Sequence, residues 1–571
     1  MCGIWSYIKR YNGKDKVTFS YETLFNNFMK IKHRGPDMSS FQILNNIYVG
    51  FHRLAIMAPT IDTNQPYIIK DNNRTILFIC NGEIYNFKEL INNHKLPITD
   101  NSDCMTIPQL YIKFVKNDNI TDFVELFKNE IKGEYAFILY EFNEYQEISR
   151  VVVGRDEIGI RPLYYHDPDQ NSDLVFSSEI KGLDFFKDNI TEFNPGMIMD
   201  ITFKDNIKSK YNFSTVYDTN EMMVYKNLSD DSIFNLYLAD NYNKYDIGQL
   251  LNIIKLSVVN SVHRRLTADK PIAFLLSCGV DSSLVAGIAA KKLGKPINTY
   301  CCGMNDGTDL QYARKVAEYI GSNHTEVLFT PEEGLAAIRD VIRTTETWDT
   351  TTIRASVGQY LVSKHIGTKT DAKVVLVGEG PDEVCSSYLF NYYAPNGKDL
   401  HNCALEYVRN IHMYDGKRAD RCISRWGLEG RIALLDPEFI KTYWNIPAEW
   451  RHPKFKGMEK WWLRRAFEGH NIIPSEVLWR KKEAFSDGVS GKEKSWFEIL
   501  QDFIKTQVTM FEMEQSDIKA PTLEAYYYKK IFIELFGKER LDIIPDYWQP
   551  KWINNGSYVD PSARVLNIYS E

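Results

Sequence analysis

The 571-residue sequence predicts an α+β domain built on antiparallel sheet, followed by an α/β domain with a parallel sheet and a helical C-terminal part. Three observations carry that expectation. The chain is longer than the ~250–300 residues a single core usually reaches, so more than one domain is expected. Residues 1 to about 200 carry short runs such as Ile76–Cys80, Glu134–Tyr140 and Arg150–Val153 between polar turns, a β-rich signature. Beyond residue 247 the texture changes to helices alternating with short apolar strands. Leu250–Leu266 has helical periodicity, Pro271–Leu276 reads as a buried strand, Ser282–Leu293 as a helix, and Asn298–Cys302 and Lys373–Val377 as further parallel strands. Asn194-Pro195-Gly196 reads as a turn near the end of the first domain. The polar stretch after it, rich in Asn, Asp, Lys and Tyr, reads as a linker. The expected division is 2–203, 204–247 and 248–560.

The balance of 44% hydrophobic and 25% charged residues is that of a globular chain, and the net charge of −7 gives no footprint for nucleic acid or an anionic membrane. The nine cysteines form no C-x-x-C pair and match no zinc spacing. An odd count without a signal peptide predicts reduced thiols and a cytoplasmic protein. No apolar run approaches the ~18 residues of a membrane span.

The chain opens Met1-Cys2-Gly3-Ile4. Removal of Met1 by an aminopeptidase would give Cys2 a free α-amino group beside its thiol. Such an amine titrates near ~7.7–8.0 and can act as a base to the nucleophile. Around it stand His33-Arg34-Gly35-Pro36-Asp37, Phe51-His52-Arg53-Leu54-Ala55-Ile56, Cys80-Asn81-Gly82-Glu83-Ile84-Tyr85-Asn86 and Ser102-Asp103. Singly these read as a Gly-Pro turn, an Asn-Gly hairpin turn after a strand Thr75–Cys80, and a helix cap. Together they resemble the class II, N-terminal-nucleophile glutamine amidotransferases. That resemblance implies an αββα sandwich of antiparallel sheets, with Cys2 attacking the glutamine amide and Asn81 and Gly82 forming the oxyanion hole. It also implies a glutamine site at Arg53, Leu54, Ala55, Ile56, Met57, Asn81, Gly82, Glu83 and Asp103. The chemistry agrees, since an amide carbonyl needs donors aimed at its developing oxyanion and a free amino acid needs one cation and one anion. Gly154-Arg155-Asp156, Arg161-Pro162-Leu163-Tyr164 and Phe176-Ser177-Ser178-Glu179 continue the resemblance.

The predicted strand Ile272–Leu276 runs into Ser277-Cys278-Gly279-Val280-Asp281-Ser282-Ser283 and a helix. A strand, a small-residue turn and a helix N-terminus make an anion site from backbone N–H groups. The segment lacks the lysine of a Walker A loop. It resembles the pyrophosphate loop of the N-type ATP pyrophosphatases. Glu346-Thr347-Trp348-Asp349, Gly378-Glu379-Gly380-Pro381-Asp382-Glu383, Trp426-Gly427-Leu428-Glu429-Gly430-Arg431 and Arg480-Lys481-Lys482-Glu483 follow in order. The whole is similar to the glutamine-hydrolysing asparagine synthetase family. The resemblance implies that aspartate and ATP form β-aspartyl-AMP, and that ammonia from glutamine displaces AMP. By motif, Leu276, Ser277, Gly279, Asp281, Ser282, Cys302, Val377 and Gly378 receive ATP, and Glu379 and Lys482 are catalytic. Asp281 and Asp382 hold Mg²⁺. Glutamine, aspartate and ATP are the expected partners, with a homodimer left open.

The sequence departs from the family pattern at Cys278, which replaces a loop glycine, at Val377 and Pro381, which replace serines, and at Ser386-Ser387, which replaces a glycine pair. Two other readings therefore stand beside the synthetase. One is a glutaminase-only or non-catalytic nucleotide-binding protein, and the other a β-lactam-synthetase-like relative acting on a different acid. Pyrophosphate release dependent on glutamine and aspartate tests the first, and a substrate panel read by AMP formation tests the second.

Overall fold

A computed structural model describes residues 1–9, 19–116, 119–166, 173–186, 189–204, 207–215, 244–277, 279–305, 307–481, 494–544 and 547–552. Cys278 and Lys482 lie outside the described residues.

The first domain contributes β1 (Gly3–Ile8), β2 (Met38–Leu44), β3 (Ile47–Arg53), β4 (Tyr67–Asp71), β5 (Arg74–Ile84) and β6 (Gly133–Phe142). It continues with β7 (Ile148–Arg155), β8 (Tyr164–His166), β9 (Leu174–Ser177), β10 (Ile190–Glu192), β11 (Met197–Lys204) and β12 (Ile207–Thr215). They form two six-stranded sheets, ordered β10-β8-β9-β1-β3-β2 and β12-β11-β7-β6-β5-β4, with antiparallel pairing throughout.

Strand alternation sends Ile4, Ile8, Val49 and Phe51 of one sheet against Leu77, Ile79, Ile138, Val151 and Val153 of the other. The opposite face of the second sheet, with Ile76, Phe78 and Cys80, is covered by helices Phe87–His94, Thr106–Phe114 and Thr121–Asn129. The outer face of the first sheet, with Trp5, Tyr7 and Val175, is covered by helix Tyr21–Met29 and the turn Ile180–Leu183. This is the expected αββα sandwich. Each fully buried Ile, Val or Phe here contributes ~1.5–3 kcal/mol relative to exposure.

Two local expectations change. Asn81-Gly82 is not a hairpin turn, because β5 runs through it to Ile84, and Asn81 and Gly82 pair with Ala136 and Tyr135 of β6. The segment expected as a linker from 204 begins with β12, which pairs along β11. Its Tyr, Ile and Phe alternate with Lys, Asn and Ser, a strand pattern obscured by the polar composition.

The second domain is a five-stranded parallel sheet ordered β15-β14-β13-β16-β17, from β13 (Ile272–Leu275), β14 (Asn298–Gly303), β15 (Asn323–Leu328), β16 (Val374–Val377) and β17 (Glu429–Ile432). Helices Lys244–Arg264, Val280–Leu293, Thr308–Ile320 and Thr350–Lys369 accompany it, and further helices from Gly397–Asn410 to Leu523–Phe536 complete the C-terminal part. None of the described helices is long and apolar enough to cross a membrane.

A buried seam of charge joins the domains. Arg34, fully buried, donates 2.8 Å hydrogen bonds to Glu179 and to Asp420 of helix Asp415–Ser424, and its Nε donates to the Cys2 carbonyl at 3.0 Å. Arg161 lies 3.0 Å from Glu134 and 3.7 Å from Glu429. Arg265 reaches both Glu134 and Asp436 at 2.8 Å. Glu346 accepts the backbone N–H groups of Ile180 and Lys181 across the same boundary.

Removing one member of a buried pair leaves an uncompensated charge and costs about 3–5 kcal/mol. Arg34→Met and Asp420→Asn are each expected to lower the urea midpoint of the full-length chain, with a loss of unfolding free energy in that range. An unchanged midpoint would mean that the seam does not hold the domains together.

Candidate functional sites

Cys2 lies at the entry to β1, where its backbone is pinned by Arg34 and its thiol faces the Leu54 carbonyl at 3.9 Å. Burial raises the thiol to about 11. Met1 precedes it and is itself buried. Its sulfur is 3.4 Å from Arg34, and its ammonium is 3.5 Å from the Leu428 carbonyl and 3.8 Å from Glu429. Burial lowers that amine to about 6.

The Arg53 guanidinium is directed into the loop after β3. It donates to the carbonyls of Thr60 at 2.6 Å and Ala58 at 2.7 Å, and to the Thr63 hydroxyl at 2.9 Å. It thus shapes the loop containing Leu54, Ala55, Ile56 and Met57. The same loop is tied outward, since the Ala55 N–H donates to Asp37 and the Ala58 N–H to Asp269 of the second domain, both at 2.9 Å. Leu54 and Ile56 bury their side chains in the core of the second domain.

Asn81 is wholly buried, and neither its amide nitrogen nor its oxygen has a partner among the described residues. Leaving a buried amide unpaired costs ~1–3 kcal/mol, an arrangement expected where a ligand completes it. At Gly82 a Cβ would stand 2.2 Å from the Glu134 carbonyl, so the β5–β6 ladder admits only glycine there. Asp103 accepts the Ile84 N–H at 2.8 Å; burial raises its pKa to about 6, opposed by that hydrogen bond. Glu83, 3.3 Å from Arg431, is pushed well up by burial.

In the second domain a cleft of about 160 Å³ opens at the C-terminal ends of β13 and β16. Ser277, Gly279, Asp281, Ser282, Gly378, Glu379 and Asp382 line it. The loop is closed by side chains, with the Ser277 N–H donating to Ser282 Oγ at 3.1 Å. At Gly279 a Cβ would meet only Ser277 Oγ, at 4.0 Å, so the protein leaves that side of the turn open. At Gly378 a Cβ would be 2.6 Å from the Ser282 backbone nitrogen; glycine lets the end of β16 close on the turn. Leu276, Cys302 and Val377 are buried at the ends of their strands and are not among the lining residues.

Glu379 accepts a 2.9 Å hydrogen bond from Gln359 and lies 3.6 Å from Arg418. Burial raises its pKa, with Arg418 opposing.

Lys460 is the residue the sequence did not announce. Its ammonium bridges Asp281 and Asp382, the latter at 2.6 Å. Burial alone would lower its pKa, but the two carboxylates outweigh burial and raise it. In Met458-Glu459-Lys460-Trp461-Trp462 nothing separates it from an ordinary helix start, and its left-handed backbone, φ 56°, is visible only in the fold.

The departures sort by geometry. Pro381 opens helix Pro381–Val384 at its first position, where no N–H is needed, and Gly380 before it has φ 103°. Ser386, in place of a glycine, is held at φ 54°, a strain of roughly 1–2 kcal/mol.

Known families divide the chain in the same way. Residues 1–226 match the glutamine amidotransferase domain, and residues 254–404 and 393–554 match asparagine synthase. The class is therefore a glutamine amidotransferase joined to an asparagine synthase domain. Over its whole length the chain is 38% identical to the asparagine synthetases [glutamine-hydrolyzing] of Pongo abelii and Homo sapiens, and 39% identical to that of Mesocricetus auratus, covering 99% of each. The chain belongs to the glutamine-hydrolysing asparagine synthetase family.

Gly378→Ala is expected to force the turn and β16 apart. Overpacking of this kind costs ~1–3 kcal/mol, so ATP affinity should fall about tenfold or more, read by equilibrium nucleotide binding. Unchanged affinity would mean that Ser282 yields freely.

Proposed function

We propose that the chain makes L-asparagine from L-aspartate and ATP, using ammonia released from L-glutamine and leaving AMP and pyrophosphate. The observation that carries the reading is one helix touching both sites. Helix Asp415–Ser424 offers Asp420 to Arg34, which holds the Cys2 carbonyl, and Arg418 to Glu379 in the cleft. Residues 2–203 together with β12 are assigned to glutamine hydrolysis and 248–560 to synthesis.

In the first domain Cys2 attacks the glutamine amide once Met1 has been removed, and its freed α-amine takes the thiol proton. The unpartnered Asn81 amide and the Gly82 N–H receive the oxyanion. Asp103 holds the substrate's amino group. Arg53, engaged by loop carbonyls, acts on the substrate carboxylate through the loop 54–57 it shapes, and buried Glu83 adds a second carboxyl near Asp103 on the amino-group side.

In the second domain the open side of Gly279, with Ser277, Ser282 and Gly378, receives the phosphates, and the strand ends at Leu276, Cys302 and Val377 back the nucleotide. Asp281 and Asp382 fit Mg²⁺. Their donors are all oxygen, they already share one cation in Lys460, and Asp281 keeps a buried oxygen without a partner among the described residues. Bound there, the ion would neutralise phosphate charge. Glu379 supports adenylate formation and, with its pKa raised by burial, later takes a proton from the attacking ammonia, while Lys482 supports adenylation. The seam keeps this chemistry in register with the glutaminase site.

Cys2→Ala is expected to abolish glutamine hydrolysis while leaving ammonia-dependent asparagine formation intact, measured as asparagine and pyrophosphate with either nitrogen source. Glutaminase activity surviving in this variant would overturn the N-terminal assignment. Glu379→Gln should slow pyrophosphate release by about 10²–10⁴ and spare the glutaminase. Asparagine formation at the wild-type rate in that variant would remove Glu379 from the mechanism.

A further inference from the structure

Outside both clefts, one face of the β14–β15 pair gathers three ligand-type side chains. The strands are parallel, with Thr299 opposite His324 and Cys301 opposite Glu326. The period of two therefore sets all four residues on one face. Cys302 takes the other face, its sulfur 3.2 Å from the Gly358 carbonyl of helix Thr350–Lys369.

Cys301 Sγ lies 3.5 Å from His324 Nε2, and a Glu326 carboxylate oxygen is within 4.8 Å of both. A thiolate at ~2.3 Å and an imidazole nitrogen at ~2.0–2.1 Å from a tetrahedral ion stand ~3.6 Å apart. Sulfur and nitrogen already have that separation, and only the carboxylate must move inward.

The other ring nitrogen, His324 Nδ1, is 2.9 Å from Thr299 Oγ1, which is 2.8 Å from Ser322 Oγ. An Nδ1–H given to a hydroxyl leaves the Nε2 lone pair directed at Cys301, the outer hydrogen bond that orients a ligating histidine. Burial lowers the His324 pKa and so favours the neutral ring a metal requires. Glu326 is held by Arg314 of helix Thr308–Ile320 through bonds of 2.5 and 2.8 Å, and a carboxylate so held retains lone pairs for a further partner. Cys301 is buried while His324 and Glu326 are partly open, which gives an ion a way in.

We propose that Cys301, His324 and Glu326 form a binding site for one divalent ion of the zinc type, with water in the fourth position. The mixed sulfur, nitrogen and oxygen set selects a borderline-soft ion and excludes Mg²⁺. On binding, the thiol proton passes to solvent and the thiolate bonds to the metal, with no change of oxidation state. The ion would tie the edge strand β15 to β14 at a position adjacent to Cys302.

The test is a Co²⁺ titration of the full-length chain, stripped by chelator and kept reduced. A thiolate-to-cobalt charge-transfer band saturating at one equivalent, and displaced by Zn²⁺, is expected. Cys301→Ser and His324→Gln should each abolish the band while far-UV circular dichroism and pyrophosphate release stay at wild-type values. Thr299→Val should weaken binding about 10- to 100-fold, as loss of an outer hydrogen bond does. Absence of the band in the wild type would overturn the site, as would a band surviving Cys301→Ser, which places the ion on another thiol.

Discussion

The structure depends on a layer of charge that water does not reach. Arg34, Arg161, Arg265, Arg421 and Arg431 are all buried, and each faces a carboxylate across the boundary between the domains, namely Asp420, Glu429, Glu134, Glu179 and Glu83 in turn. Burying so many ions is costly unless each meets its partner in good geometry. The seam therefore tolerates one docking register and penalises displaced ones, whereas an apolar interface of the same area could slide. Guanidinium groups suit the task because their planar fork can bind several oxygens in fixed directions. Arg34 uses that fork on the Cys2 carbonyl, Glu179 and Asp420 together.

The synthetase cleft faces the opposite electrostatic problem. On the proposed reading it must admit two anions, yet it is lined by Asp281, Asp382, Glu379 and Glu383. Lys460 resolves part of this by standing between two of the aspartates. Arg418 does the same for Glu379 and Asp415. The carboxylates are thereby kept near their working positions before any ligand arrives, and burial raises Glu379, Asp281 and Glu383 toward the protonated state.

Much of this was legible in the sequence. Periodicity gave the class of each domain, and helices and strands at 250–293 and 373–377 differ from expectation by only a few residues at their ends. The motifs gave the family, and several of their residues in the second domain line its cleft. Their individual meaning was less legible. Arg161, Glu179, Glu346 and Glu429 belong to quoted motifs, yet in the fold they build the seam. A charged residue fixed for docking and one fixed for chemistry look alike in a string. The Asn81-Gly82 pair was ambiguous for a related reason, since the glycine serves close strand approach to Glu134 and Tyr135 and makes no turn. Lys460 and the strand β12 were missed because burial of a lysine, and pairing of a polar strand, are decided by distant residues.

The burial of Met1 sets an order on how the protein is made. Its side chain and ammonium are enclosed between Arg34, Leu428 and Glu429, so the folded, docked chain offers an exopeptidase nothing to grip. On the proposed mechanism, excision that frees the Cys2 amine has to happen while the N-terminus is still emerging or before the second domain closes over it. On that reading, a chain that folds first keeps the Cys2 α-amine in its peptide bond to Met1 and has no free amine to take the thiol proton. Under the proposed mechanism, biogenesis of the glutaminase site is thus a race between a processing enzyme and the docking of the protein's own C-terminal half.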